Sequence, residues 1–169
     1  MSVQTNIFEI CQAMEDRLVS LEVVGERSQI VWSARRGPMP HVKGKFDVVL
    51  RPRRGQDLRS HEQGGQRYGM VCVRVVDVFI RSSYAGSEMS SDKEWYRIHI
   101  PLEDAVLDAF AGQFLTNSSG LYYLTCPIHY LGTLEEDKET AVPAKNLWGE
   151  SAHSFEVHFK PKLDLTAQT

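Results

Sequence analysis

Cysteine is scarce in this chain, long apolar runs are missing, and no catalytic or metal-binding signature interrupts its 169 residues. The three cysteines, Cys11, Cys72 and Cys126, are odd in number, far apart and each set among apolar residues. That pattern reads as buried thiols and excludes a disulfide framework. No stretch approaches the ~18 consecutive apolar residues that a membrane span requires. Met1–Asn6 lacks the basic and apolar regions of a secretion signal. The expectation is a protein assembled in the cytosol, with no membrane partner.

The signatures of common enzyme classes are absent too. Gly64-Gly65 is followed by Gln66 and Arg67 rather than by Lys and Ser or Thr, so no phosphate-binding loop is present. No G-x-S-x-G elbow occurs, which leaves a hydrolase triad without an anchor. The histidines are His41, His61, His99, His129, His153 and His158, and none stands at a recognised metal-ligand spacing. Cys126 and His129 would point to opposite faces if they share a strand, because strand side chains alternate. Glu103 and Asp104 are accounted for by the start of a helix, where carboxylates oppose the positive end of the dipole. Asp104 and Asp108 fall one turn apart on its solvent side. No catalytic residue, metal or cofactor is expected.

What is present is a chain with 42% hydrophobic and 24% charged residues, typical of one soluble domain spanning residues 1–169. A domain of this size buries roughly 70% of the surface that its unfolded chain exposes, so it needs no staple. Ile7, Ile10, Cys11, Met14, Leu18 and Leu21 recur at helical spacing, which predicts an amphipathic helix over 6–21. Asn6 and Glu9 supply its cap and capping-box acid. Strands are predicted at Gln29–Arg35, at Phe46–Arg51 before Pro52, and at Met70–Arg81. In the last, the apolar parity shifts near Val75-Val76, pointing to a bulge or to cover on both faces. A second helix is predicted from Pro101 to about Gly112, with Leu102, Val106, Ala109 and Phe110 on its buried side. Strands Leu121–Leu131 and Ser154–Leu163 close the chain. The order helix, three strands, helix, two strands predicts an α+β fold: a mostly antiparallel sheet with two helices packed on one face and long polar loops.

Two of those loops stand out. Residues 55–69 hold four glycines and almost no apolar side chain, which suits a mobile hairpin arm ordered by a partner. Residues 132–153 form a long acidic loop containing Glu135, Glu136, Asp137 and Glu139. Trp32 is expected in the core, and Trp95 and Trp148, at loop ends, are candidates for either internal packing or interface anchors.

Charge is strongly segregated. Residues 1–34 carry two basic and five acidic side chains, residues 35–81 eleven and four, and residues 82–169 six and thirteen. A basic middle followed by an acidic end suits head-to-tail association between copies of one chain, nucleic-acid binding by segment 35–81, or simply two solvated faces of a monomer. The candidate interface residues are Arg51, Arg53, Arg54, Arg59, Arg67 and Tyr68 on the basic side. On the acidic side they are Glu135, Glu136, Asp137 and Glu139, with Trp95 and Trp148 as aromatic anchors.

The N-terminal helix, the segment Phe46-Asp47-Val48-Val49-Leu50-Arg51-Pro52, the long strand ending Val76-Asp77-Val78-Phe79-Ile80-Arg81, the helix from Leu102 to Phe110 and the two closing strands form a pattern. In this order of elements the chain resembles the tail terminator (tail-completion) proteins of long-tailed bacteriophages. The loops at 55–69 and 132–153 are longer than in smaller members of that family. The resemblance implies a structural virion protein of the tail or neck. It would form a homo-hexameric ring that caps the tail tube protein and joins it to the head connector protein, with DNA passing through without sequence-specific binding. Another connector or a tail-tube protein is the alternative within the same class.

Overall fold

The computed structural model describes residues 2–21, 28–32, 46–53, 57–63, 66–83, 92–134 and 148–162, with side chains over 2–21, 48–53, 70–80, 96–97, 99–134 and 151–162. Asn6 is extended, and its Oδ1 accepts a hydrogen bond from the Glu9 N–H at 2.9 Å. Helix α1 (Ile7–Ser20) therefore starts where the sequence places its cap. Its stripe of Ile10, Cys11, Met14 and Leu18 is fully buried. Before it, the two-residue strand β1 (Gln4–Thr5) pairs in parallel with the end of β7 (Trp148–Pro161). The Thr5 hydroxyl and the Lys162 ammonium both donate to the Glu9 carboxylate, and these bonds hold it below the usual carboxylate range. This small clasp ties the head of α1 to the last strand.

The remaining elements are β2 (Ser28–Trp32), β3 (Phe46–Pro52), β4 (Asp57–Gln63), β5 (Gln66–Ser83), α2 (Asp92–Phe110) and β6 (His129–Thr133). Among the described residues they build one sheet in the order β1-β7-β5-β3-β2, with β4 added to β5 and β6 added to β7. Among the described strand pairs, β1–β7 and β2–β3 are parallel and the others antiparallel. The chain is thus α+β, with a mixed, mostly antiparallel sheet and, among the described residues, two helices.

β5 is the spine. It runs without a register shift against β7 from Cys72 to Ser83 and against β3 from Val76 to Ser82. The change of apolar parity in its sequence is therefore not a bulge. Cys72, Val76, Val78 and Ile80 enter the core under the helices, while Val73 and Phe79 are buried on the other side. A strand buried on both faces reads as a continuous apolar run, because neither alternate position needs to be polar. The register shift of the region lies instead in the hairpin, between Ser60 and Glu62 of β4.

Several predicted boundaries move, β5 for one starting at Gln66 rather than Met70. Helix α2 begins at Asp92, well before Pro101, which sits inside the helix with an exposed ring. Proline removes one backbone hydrogen bond and costs ~3 kcal/mol in a helix interior. Here the buried side formed by His99, Leu102, Val106, Ala109 and Phe110 continues across it, so tertiary packing overrides the local breaker. Glu103 and Asp104 are consequently mid-helix rather than in a first turn. The predicted strand at 121–131 contracts to His129–Thr133, because Pro127 has no N–H for a ladder. The residues before it make only isolated bridges, such as Leu124 with Phe159. Conversely, β7 starts at Trp148 rather than Ser154, drawn out by continuous pairing with β5 as far as Ser83. The acidic loop is shortened accordingly, and its residues 135–147 lie outside the described residues.

The main core packs α1 and α2 on one face of the sheet, with Phe110 edge-on to Phe155 at 5.5 Å between centroids. A smaller cluster of Val49, Phe79 and Ala152, with Leu134 against it, lies on the opposite face. Cys11 and Cys72 are buried thiols as expected, and burial pushes the Cys11 thiol up to about 12. Cys126 is only half-buried, since its segment is not a strand. Because Phe155 is fully buried between α2 and β7, Phe155→Ala should lower unfolding free energy by ~3–5 kcal/mol in urea titrations.

Candidate functional site

The arginines singled out in the sequence are positioned by the β3–β5–β7 register. Arg51 lies opposite Asp77, and Asp77 lies opposite Ser154, so all three project from the face that bears the smaller cluster. Just past the end of β3, the Arg53 N–H still bonds the Val75 carbonyl at 2.8 Å. Its guanidinium then forks onto the Asp77 carboxylate, Nε to Oδ2 at 2.9 Å and Nη2 to Oδ1 at 3.0 Å. Nη2 also donates to Ser154 Oγ at 3.1 Å, and the Ser154 hydroxyl donates to Asp77 Oδ1 at 2.7 Å. The Asp77 side chain is 7% exposed and that of Arg53 46%. The pairing raises the already high pKa of the Arg53 guanidinium. Arg51 stacks its guanidinium 4.5 Å from the centre of the Phe79 ring. The basic face is thus built on internal contacts: Arg53 is half-committed to Asp77 and keeps an exposed edge.

Arg59 on β4 and Arg67 and Tyr68 on β5 belong to a β-hairpin in which Arg59 lies opposite Val71 and Arg67 opposite Glu62. Within the described residues, Gln66–Val71 of β5 have β4 as their ladder partner, whereas β7 reaches only to Cys72 and β3 only to Val76. The hairpin therefore extends beyond the three-strand centre of the sheet. Trp95 falls in α2, and Trp148 opens β7 opposite Ser83. Arg54, Glu135, Glu136, Asp137 and Glu139 lie outside the described residues.

Two histidine groupings escaped spacing arguments. At the junction of α2, β6 and β7, the Tyr130 hydroxyl meets His153 Nδ1 at 2.9 Å, and His153 Nε2 approaches Glu103 Oε1 at 2.7 Å. His153 is 1% exposed. Burial, and then the Glu103 charge, push the Tyr130 phenol up. His153 Nε2 makes no well-aligned hydrogen bond, so its contact with Glu103 is one of proximity. Beside it, His99 Nε2 lies 2.9 Å from Ser151 Oγ, and burial holds the His99 pKa below its ordinary value. This chain of polar groups fastens α2 to β7. Glu103 could not be assigned here from sequence, because its placement depends on the helix running through Pro101.

The second grouping, His129 on β6 with Glu156 and His158 on β7, gathers on the other face of the sheet. Glu156 Oε1 is 2.6 Å from His158 Nε2 and 3.9 Å from His129 Nδ1. The three donor atoms lie within 4.8 Å of one another, so these residues could hold a metal ion. A separate cleft of about 650 Å³ opens beside α1, walled by Phe8, Gln12, Asp16, Arg17, Phe114 and Tyr123. Its lining includes neither histidine nor cysteine. Among the described residues no helix is long and apolar enough to cross a membrane.

No protein-family model matches the chain, and a search of curated proteins finds no match.

Two outcomes follow from this geometry. Arg53→Ala strands a nearly buried carboxylate on Ser154 alone and should cost ~1–3 kcal/mol by chemical denaturation, more than Asp77→Ala, which leaves a half-exposed guanidinium that water can solvate. His99 has a folded pKa below its unfolded value. Its contribution is therefore intact above about pH 6.5 and is lost as the pH falls, since the unfolded chain binds the proton first. His99→Gln should flatten the fall of the melting temperature between about pH 7 and pH 5.

Proposed function

We propose that this chain is a structural subunit of a tailed, phage-like particle, forming a ring that caps the tail tube and joins it to the head. The observation that carries the reading is the hairpin arm. A two-stranded ribbon without a third strand is only marginally stable in water, so an arm of this kind gains order by docking on something else. The arm extends from the basic segment of the chain, and Arg59, Arg67 and Tyr68 lie along it.

The described charges support a heterologous contact. Arg51 and Arg53 sit on the face with the smaller cluster, whereas Asp104 and Asp108 are exposed on α2, against the other face. A ring closed by cyclic symmetry sets one face of each subunit against a different face of the next, and opposed charges favour that register over self-stacking of like faces. Each exposed pair contributes only ~0–1 kcal/mol, so closure rests on many pairs acting with aromatic anchors. The exposed Phe114 and Tyr122, whose tilted rings lie 4.9 Å apart between centroids, are suited to that role alongside Trp95 and Trp148. The internal commitment of Arg53 to Asp77 favours this protein-docking reading over nucleic-acid binding by segment 35–81.

The reading is tested by locating tagged copies in purified tailed particles by electron microscopy. Hexameric rings at the head-proximal end of the tube are expected. Rings or tubes elsewhere along the particle would reassign the chain to another connector or the tail tube, and its absence from particles would overturn the proposal. Replacing residues 61–69 by a short glycine turn should leave the melting temperature of the isolated subunit within a few degrees, because among the described residues the ladders of β7 and β3 with β5 begin beyond it, at Cys72 and Val76. The same replacement should abolish ring assembly, as read by sedimentation and by incorporation into particles.

A further inference from the structure

The sequence offers no metal spacing because the three relevant side chains are brought together by strand pairing rather than by proximity along the chain. His129 of β6 is the direct cross-strand partner of Glu156 of β7. His158 follows Glu156 by two positions on the same strand, so all three project from one face of a two-strand ladder. The backbone beneath them is pinned from a third side, where the Thr125 N–H and hydroxyl donate to the His158 carbonyl at 2.8 and 3.2 Å. The two imidazole rings lie 5.3 Å apart between centroids, and a single carboxylate oxygen, Glu156 Oε1, faces a nitrogen of each. The side chains are 54%, 21% and 18% exposed for His129, Glu156 and His158, which leaves an approach from solvent.

We propose that His129, Glu156 and His158 form a binding site for a divalent transition-metal ion, Zn²⁺ in the first instance. Two neutral imidazoles and a carboxylate are a donor set that suits Zn²⁺, with a fourth position left to water. Ligand bonds of about 2.0–2.2 Å in a tetrahedral shell require donors roughly 3.3–3.6 Å apart. The donor atoms already fall within 4.8 Å of one another, so closing the set takes an inward swing of the exposed His129 ring, now 3.9 Å from Glu156 Oε1, and an opening of the 2.6 Å Glu156–His158 contact by roughly 0.7–1 Å to reach that spacing. The site stands independently of the ring assembly.

The test is titration of the untagged full-length protein with Zn²⁺ by calorimetry, and with Co²⁺ by visible absorption, which reports low-coordinate binding through its d–d bands. One ion per chain is expected, together with the Co²⁺ bands. His129→Ala, His158→Ala and Glu156→Gln should each weaken Zn²⁺ by at least about tenfold, as loss of a direct ligand does. His129 is exposed, so its variant keeps the fold, and circular dichroism confirms that for all three. Absence of binding, or binding of equal affinity in the His129→Ala/His158→Ala double variant, would overturn the proposal and leave Glu156–His158 as an ordinary ion pair.

Discussion

Everything in this molecule hangs on the pairing of β5 with β7. Twelve consecutive residues of β5, Cys72 to Ser83, are matched in unbroken register to Phe159 back to Trp148. Because side chains alternate along a strand, that one register assigns every residue of both strands to a face. It puts Phe155, Val157 and Phe159 under the helices with Val76 and Val78. By the same step it puts Ser154 beside Asp77 and carries Glu156 and His158 to the opposite face. A slip of one residue would bury Glu156 and expose Phe155, so the apolar core and both polar groupings are held by one constraint.

The opposite face shows what that constraint does for charged groups. Asp77 is nearly buried, yet it is satisfied by two guanidinium nitrogens and a hydroxyl supplied by neighbouring strands. Arg53 reaches it only because β3 stops at Pro52 and the chain continues along β5 by one more backbone hydrogen bond. The arginine keeps part of its surface in water, which leaves it able to take part in an outer contact while anchored within its own subunit. A side chain held in this way loses less entropy on docking than a free one.

How much of this could be read beforehand depends on whether the deciding interaction is local. The cap and buried stripe of α1 were legible, because Asn6 and the 3–4 spacing of Ile10, Cys11, Met14 and Leu18 act within a few residues. The strand cores around Val48–Leu50, Val76–Ile80 and Phe155–Phe159 were legible from their composition, and with them the α+β class. The start of α2 was not: Pro101 is a strong local signal, and it loses to a buried side that runs through it. Nor was the early start of β7, since residues 148–153 are extended by their partner and not by their own pattern. Of the candidate interface residues, the structure brings Arg51 and Arg53 to one face and sets Arg59, Arg67 and Tyr68 along one hairpin. The contact between Arg53 and Asp77, 24 positions apart, follows only from strand register.

By itself, then, the sequence determined the identity of the core, the fold class, the segregation of basic and acidic segments, and the want of any linear catalytic or metal motif. The tertiary structure alone decided which polar side chains meet. Glu103 reaches His153, Arg53 reaches Asp77, and His129 reaches Glu156 and His158 across the sheet. The physical reason is that burial is a property each residue carries with it, readable from its own chemistry and its neighbours in the chain. A site is a relation between residues far apart in sequence, and it exists only once backbone hydrogen bonds have set which positions lie opposite one another.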